Sequence, residues 1–136
     1  AFFTLLKHGA DVRAKKDGWT LLHYAAVGGD KDIINALINR GLDVNAKTKS
    51  GIIPIMLTIT NKNKDAFFVL LKNGANVNVV YKKNGNNLLH YAVFWNDKDI
   101  IKALIKRGVD LNKFKEKGYT PIMLAAMEGK KEAFSI

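Results

Sequence analysis

Eight glycines fall in two registers along this chain: Gly18, Gly51, Gly85 and Gly118 at spacings of 33, 34 and 33, and Gly9, Gly41, Gly74 and Gly108 at spacings of 32, 33 and 34. A period of that length means one supersecondary unit stacked on copies of itself, each burying an apolar face that it could not hide alone. Function is then expected on an extended surface and not in an enclosed pocket.

The repeat is doubled. Residues 21–45, LLHYAAVGGDKDIINALINRGLDVN, return at 88–112 as LLHYAVFWNDKDIIKALIKRGVDLN. Between them stands PIMLTITNKNKDAFFVLLKNGANVN from Pro54, whose opening returns as PIMLAAMEGKKEAF from Pro121 and whose end matches AFFTLLKHGADV from Ala1. A His-bearing and a Met-bearing version alternate, and tandem duplication of a repeat pair is the simplest history.

Each unit reads as two short helices and a turn. Ile33, Ile34, Leu37 and Ile38 follow an i, i+1, i+4, i+5 pattern, which lays one stripe along a helix face; Ile100, Ile101, Leu104 and Ile105 repeat it, and Phe67, Phe68, Leu70 and Leu71 read similarly at i, i+1, i+3, i+4. Gly41, Gly74 and Gly108 are expected to stop those helices in the left-handed conformation that glycine adopts without a Cβ clash. Pro54 and Pro121 suit first-turn positions, where no N–H is required. Asp30, Asp32, Asp97 and Asp99 suit the N-terminal ends of the second helices, and His8 a helix C-terminus. An extended turn such as 44–52 follows each pair.

These blocks resemble the ankyrin repeat, whose pattern runs G-x-T-P-L-H-x-A-A-x-x-G, then a second apolar helix, then G-A-D-V-N. Residues 18–47, GWTLLHYAAVGGDKDIINALINRGLDVNAK, and 118–129, GYTPIMLAAMEG, carry the likeness. Leu21 and Leu88 replace the family proline, Ile53 and Asn87 its threonine, Met56 and Met123 its histidine, and Lys62 and Asn96 its inter-helix glycine. The resemblance implies an all-α solenoid of stacked helix-turn-helix units joined by β-hairpin-like loops. It divides the chain into a partial repeat at 1–17, repeats at 18–50, 51–84 and 85–117, and a partial repeat at 118–136. Ala1 aligns with Ala66, and the last residues again fall within a second helix, so the segment reads as part of a longer array.

Chemistry is sought and not found. His23 and His90 occupy the T-P-L-H position, where the resemblance implies an imidazole that hydrogen-bonds backbone across a repeat junction. They lie 67 residues apart, too far along the stack for a shared metal or a catalytic pair. Met56 and Met123 read as packing substitutes that give up that junction bond. No phosphate-cradling glycine loop and no serine elbow is present, and with no cysteine neither disulfides nor thiolate metal sites can form. No catalysis, cofactor or metal is expected. No apolar run approaches the ~20 residues that would cross a bilayer, and the compartment is left open.

The net charge is +10, from 22 basic and 12 acidic residues, which suits an acidic partner. Only Arg13, Arg40 and Arg107 are arginines, and the lysines are scattered; without the guanidinium fork they argue against nucleic acid. The resemblance places the recognition surface on a concave face made by hairpin tips and first helices. Carried over by alignment, it includes the residue after each anchor glycine, namely Trp19, Ile52, Asn86 and Tyr119. It also includes the ends of the first helices, among them Phe94, Trp95 and Met127. Lys16, Asp17, Lys49, Ser50, Lys83, Asn84, Glu116 and Lys117 would form its mixed polar rim, while Tyr24 and Tyr91 read as core. The expected function is a monomeric, non-catalytic scaffold that docks an unidentified protein on aromatic anchors. The alternatives are a basic module for nucleic acid or an anionic surface, and an accessory targeting domain of a larger enzyme or toxin.

Overall fold

The string DKDII occurs twice, and it builds the same helix start twice. Asp30 Oδ1 accepts the N–H groups of Asp32 and Ile33 at 2.8 and 3.2 Å, and Asp97 Oδ1 those of Asp99 and Ile100 at 2.9 and 3.0 Å. Each such cap satisfies amides that the first helical turn cannot, and its loss costs about 1 kcal/mol. The helices that follow, Lys31–Asn39 and Lys98–Lys106, end at Gly41 and Gly108 with φ of +88° and +81°, as the glycine spacing predicts.

The computed structural model describes residues 1–112 and 120–129, in two compact units, Ala1–Asn76 and Val77–Ile136. The first holds α1 (Phe2–Lys7), a short antiparallel hairpin of β1 (Lys15–Lys16) and β2 (Trp19–Thr20), then α2 (Leu21–Gly28), α3 (Lys31–Asn39), α4 (Pro54–Thr60) and α5 (Lys64–Lys72). The second holds α6 (Leu88–Trp95), α7 (Lys98–Lys106) and α8 (Pro121–Glu128), preceded by an isolated bridge between Val80 and Asn87. Tyr119, Glu116 and Lys117 lie outside the described residues.

Within each unit, like stacks on like. In the first, α2 packs on α4 and α3 on α5, while α2 with α3 and α4 with α5 form the helix pairs. In the second, α6 packs on α7 and on α8. The second-helix stripes are packed at their centres: Ile34 and Leu37 of α3 and Phe67 and Leu70 of α5 are at most 2% exposed, as are Leu22 and Ala26 of α2 and Ile55 and Ile59 of α4, whereas Ile33, Ile38 and Phe68 are half-buried and Ile105 of α7, at the end of its stripe, is 40% exposed. Burying one such large side chain contributes about 1.5–3 kcal/mol, so the stacking contacts and not the seven- to nine-residue helices by themselves hold the unit together.

Just after each of the first helices α2, α4, α6 and α8 the backbone is left-handed. Gly29, Lys62, Asn96 and Gly129 have φ of 76°, 57°, 59° and 67°. Gly29 is required for a second reason: Asn63 Nδ2 donates to the carbonyls of Ala26 and Val27 at 3.0 and 2.9 Å, and a Cβ on Gly29 would lie 2.7 Å from the Asn63 side chain. Lys62 is the unfavourable member, because a lysine at positive φ sets its Cβ against its own carbonyl. Lys62→Gly is expected to raise stability by roughly 0.5–1 kcal/mol, the relief of that clash less the extra chain entropy of glycine. A urea transition that stays put or shifts to lower urea would refute this account of the turn.

Candidate binding surface

Asp17 and Gly18 form the two-residue tip of the first hairpin, with φ of 55° and 80°. Two positive φ values make the type of turn whose twist matches a β-hairpin. The register pairs Lys16 with Trp19, so the two stand together at the tip. Trp19 is half-buried, and its ring lies 5.6 Å from that of His23 and 5.2 Å from that of Tyr24, centre to centre. Beneath it, the hairpin stacks on the next loop. Lys49 N–H donates to the Asp17 carbonyl at 3.2 Å, and Lys49 Nζ approaches Asp17 Oδ1 at 3.4 Å in a solvated pair worth little by itself. Thr48 Oγ1, buried, accepts from the amides of Ser50 and Ile52 at 3.2 and 3.1 Å and sets that second turn. Lys16, Asp17, Lys49 and Ser50 are exposed as a rim would be, and Ile52 is half-buried.

Tyr24 corrects the sequence reading. It was expected in the core, and it is 51% exposed beside Trp19. The buried positions of α2 are Leu22, His23 and Ala26; Tyr24 lies two residues from Leu22, about 200° around the helix. That angle was the available signal.

His23 is fully buried and ties the repeats together. Its Nε2 donates to the Ile52 carbonyl at 2.9 Å, and its Nδ1 accepts the Thr20 N–H at 3.0 Å, which fixes the neutral tautomer. Burial lowers its pKa, against the opposing influence of the Ile52 and Ala46 backbone. Met56, at the equivalent place on α4, keeps the local half of this arrangement by accepting the Ile53 N–H on Sδ at 3.4 Å. Its thioether has no N–H for a junction bond. Met123, expected to pack like Met56, is 45% exposed where Met56 is fully buried.

The second unit's loop is built differently. Tyr81 N–H donates to the Asn86 carbonyl and Gly85 N–H to the Tyr81 carbonyl, both at 2.8 Å. Tyr81 is buried, packs its ring against Tyr91 at 4.5 Å between centres and 56° between planes, and has its pKa raised by burial and, second, by Tyr91. With Tyr81 covering it, Tyr91 is half-buried while its counterpart Tyr24 is not. Asn84, expected on the rim, is half-buried and turned inward: its Nδ2 donates to Tyr91 Oη at 2.8 Å and its Oδ1 accepts the Asn86 N–H at 3.0 Å. Asn86 is a correction as well. It was expected as a contact residue and is 4% exposed, because the longer turn folds its side chain under the loop. Lys83 remains exposed.

The ends of α6 and α8 carry the remaining candidates. Phe94 is 40% and Met127 62% exposed, with Trp95 half-buried, and they occupy the last turns of two helices that pack side by side. The matching ends in the first unit carry Val27 and Thr60, which offer far less surface to an aromatic or aliphatic anchor. A separate apolar groove of about 270 Å³ in the second unit is lined by Leu89, Val93, Ile101, Ile105, Leu111 and Ile122, among others, and by none of the expected contact residues. Among the described residues no three His, Cys, Asp or Glu side chains converge to hold a metal ion, and no helix is long and apolar enough to cross a membrane.

Comparison with known proteins agrees with the stacked helix pairs. The family described as Ankyrin repeats matches residues 3–48 and 55–136, in three copies. Ankyrin repeat and SOCS box protein 3 of Homo sapiens is 38% identical over 117 residues, covering 86% of this chain and 23% of that protein. Ankyrin repeat protein OPG189 of Variola virus is 32% identical over 135 residues, covering 92% of this chain and 24% of that protein. B-cell lymphoma 3 protein homolog of Mus musculus is 31% identical over 110 residues, covering 80% and 24%. The chain therefore spans no more than about a quarter of the length of these relatives.

Proposed function

Because this chain belongs to the ankyrin-repeat family, whose repeats in general mediate protein–protein contacts and do not catalyse, we propose that it is a docking module for a partner protein. The contact surface is made of hairpin tips and the ends of first helices. The observation that carries this reading is the apolar ledge of Phe94 and Met127, with Trp95 beside it, at the ends of α6 and α8. Large rings and a flexible thioether at half exposure are costly to leave in water, and they supply most of the energy of an interface when a partner covers them. Lysines around them set encounter rate and selectivity more than affinity.

The test is capture by the immobilised chain, wild type against the Phe94→Ala/Trp95→Ala double variant, at low and moderate salt. A partner held by the wild type at both salts should bind the double variant at least about tenfold more weakly, the usual loss on truncating interface aromatics. Acidic proteins or nucleic acid held equally by both forms and released by moderate salt would overturn the reading and leave the +10 charge as the operative feature.

A further inference from the structure

We propose that the first unit's hairpin cleft receives an aromatic side chain embedded in an acidic peptide segment, a reading that rests on the docking function above and names the partner's chemistry at one of its contacts. The cleft has a volume of about 290 Å³ and is lined by Lys16, Asp17, Trp19 and Tyr24. With centroids 5.2 Å apart and planes inclined at 42°, the Trp19 and Tyr24 rings touch each other. No group fits between them, so they cannot enclose a cation on two faces; together they form a tilted platform. A ring laid on that platform gains offset or edge contacts with both. The platform is preorganised, since Trp19 also rests on His23, whose two ring nitrogens are fixed by Thr20 and Ile52. Little ordering cost remains for binding.

Charge selects the rest of the ligand. The hairpin 15–20 and the turn 44–52 stacked on it carry exposed Lys15, Lys16, Lys47 and Lys49 against one carboxylate, Asp17, which is already paired with Lys49; Asp11 and Asp43 lie in the flanking parts of the same two connections and do not line the cleft. An anchor ring flanked by Asp or Glu therefore meets an excess of cations, and one flanked by Lys or Arg meets repulsion. Asp17, on the wall of the cleft, also separates an acidic peptide from a nucleic acid strand. A peptide can place its carboxylates opposite Lys16 and leave the position facing Asp17 neutral. A phosphodiester chain carries a charge at every step and cannot.

Fluorescence anisotropy of labelled peptides titrated with the full chain decides the matter. The peptide SEEFEESG is expected to bind saturably, SEEAEESG about tenfold more weakly, and SKKFKKSG not at all. Tyr24→Ala and Lys16→Glu, both at exposed positions and each checked for retained helix content by circular dichroism, should each weaken SEEFEESG by about tenfold, while Lys72→Glu, the same charge change at an exposed position at the end of α5, should bind it like the wild type. Equal binding of SEEFEESG and SEEAEESG, wild-type affinity in Tyr24→Ala, preferential binding of oligothymidylate, or no saturable binding would each overturn the proposal. If SEEFEESG fails while Phe94→Ala/Trp95→Ala still loses its captured partner, this inference falls and the docking function stands; if both fail, both fall.

Discussion

Gly18→Ala is expected to destabilise the first unit by about 3–4 kcal/mol, and Gly74→Ala by only about 1–2 kcal/mol, although both replace glycines at positive φ. The two positions share the backbone penalty, with φ of +80° and +92°. They differ in what a methyl group meets. At Gly74 nothing lies within 4 Å, whereas at Gly18 a Cβ would stand 2.8 Å from Thr48 Cα and 3.0 Å from the Lys49 nitrogen. Those are backbone atoms, and they cannot swing aside as a side chain does. Relief requires parting the two loops, which breaks the bond from Lys49 N–H to the Asp17 carbonyl and strains the turn that Thr48 holds. Equilibrium urea unfolding gives the two losses, and hydrogen exchange at the Lys49 and Ile52 amides locates the first. Equal losses in the two variants would mean that the loops are not in close contact.

That contact shows how far the sequence carries. The glycine register predicts the stacking seen within each unit, and the second-helix stripes predict the buried centres of α3, α5 and α7 but not the exposed Ile105, because both follow from periodic backbone geometry that the copies share. Departures from periodicity were harder to read. Tyr24 and Tyr91 hold the same place in the duplicated block, yet one is exposed and the other half-buried, since the ring against Tyr91 is the buried Tyr81, whereas the ring against Tyr24 is Trp19, itself only half-buried at the hairpin tip. Asn86 follows its anchor glycine as Trp19 does, but the 34-residue spacing adds a position to its turn, where the Asn84 side chain bonds inward to Tyr91 and to the Asn86 N–H and the Asn86 side chain is buried. The buried Asn86 Oδ1 has no hydrogen-bond partner, which marks that loop as less well satisfied than the first. Alignment finds equivalent positions; whether a side chain at such a position faces water depends on neighbours from another repeat, and those are not written in the local pattern.

His23 turns the same reasoning into a pH effect. His23→Ala is expected to cost about 3 kcal/mol at pH 7.5, because it opens a cavity beneath Trp19 and strands the Ile52 carbonyl and the Thr20 amide. His23→Met, the replacement that α4 already carries as Met56, should cost about 1–2 kcal/mol, since Sδ can accept the local N–H but nothing donates to Ile52. The acid limb then separates the variants. The folded His23 has a pKa below the unfolded value of 6.5, owing first to burial. Below pH 6.5 the unfolded chain takes up the proton first, so the histidine's contribution is complete above that value and is lost as pH falls towards the folded pKa. Protonation also sets an N–H on Nδ1 against the Thr20 N–H, where the neutral ring had offered a lone pair. Each proton bound preferentially by the unfolded state lowers stability by about 1.4 kcal/mol per pH unit. The carboxylates titrate alike in wild type and His23→Met, so the gap between them isolates this one group: it should narrow from pH 7.5 to pH 5. A gap that stays constant or widens would mean that His23 is charged in the folded state and that its bond to Ile52 is made by an imidazolium.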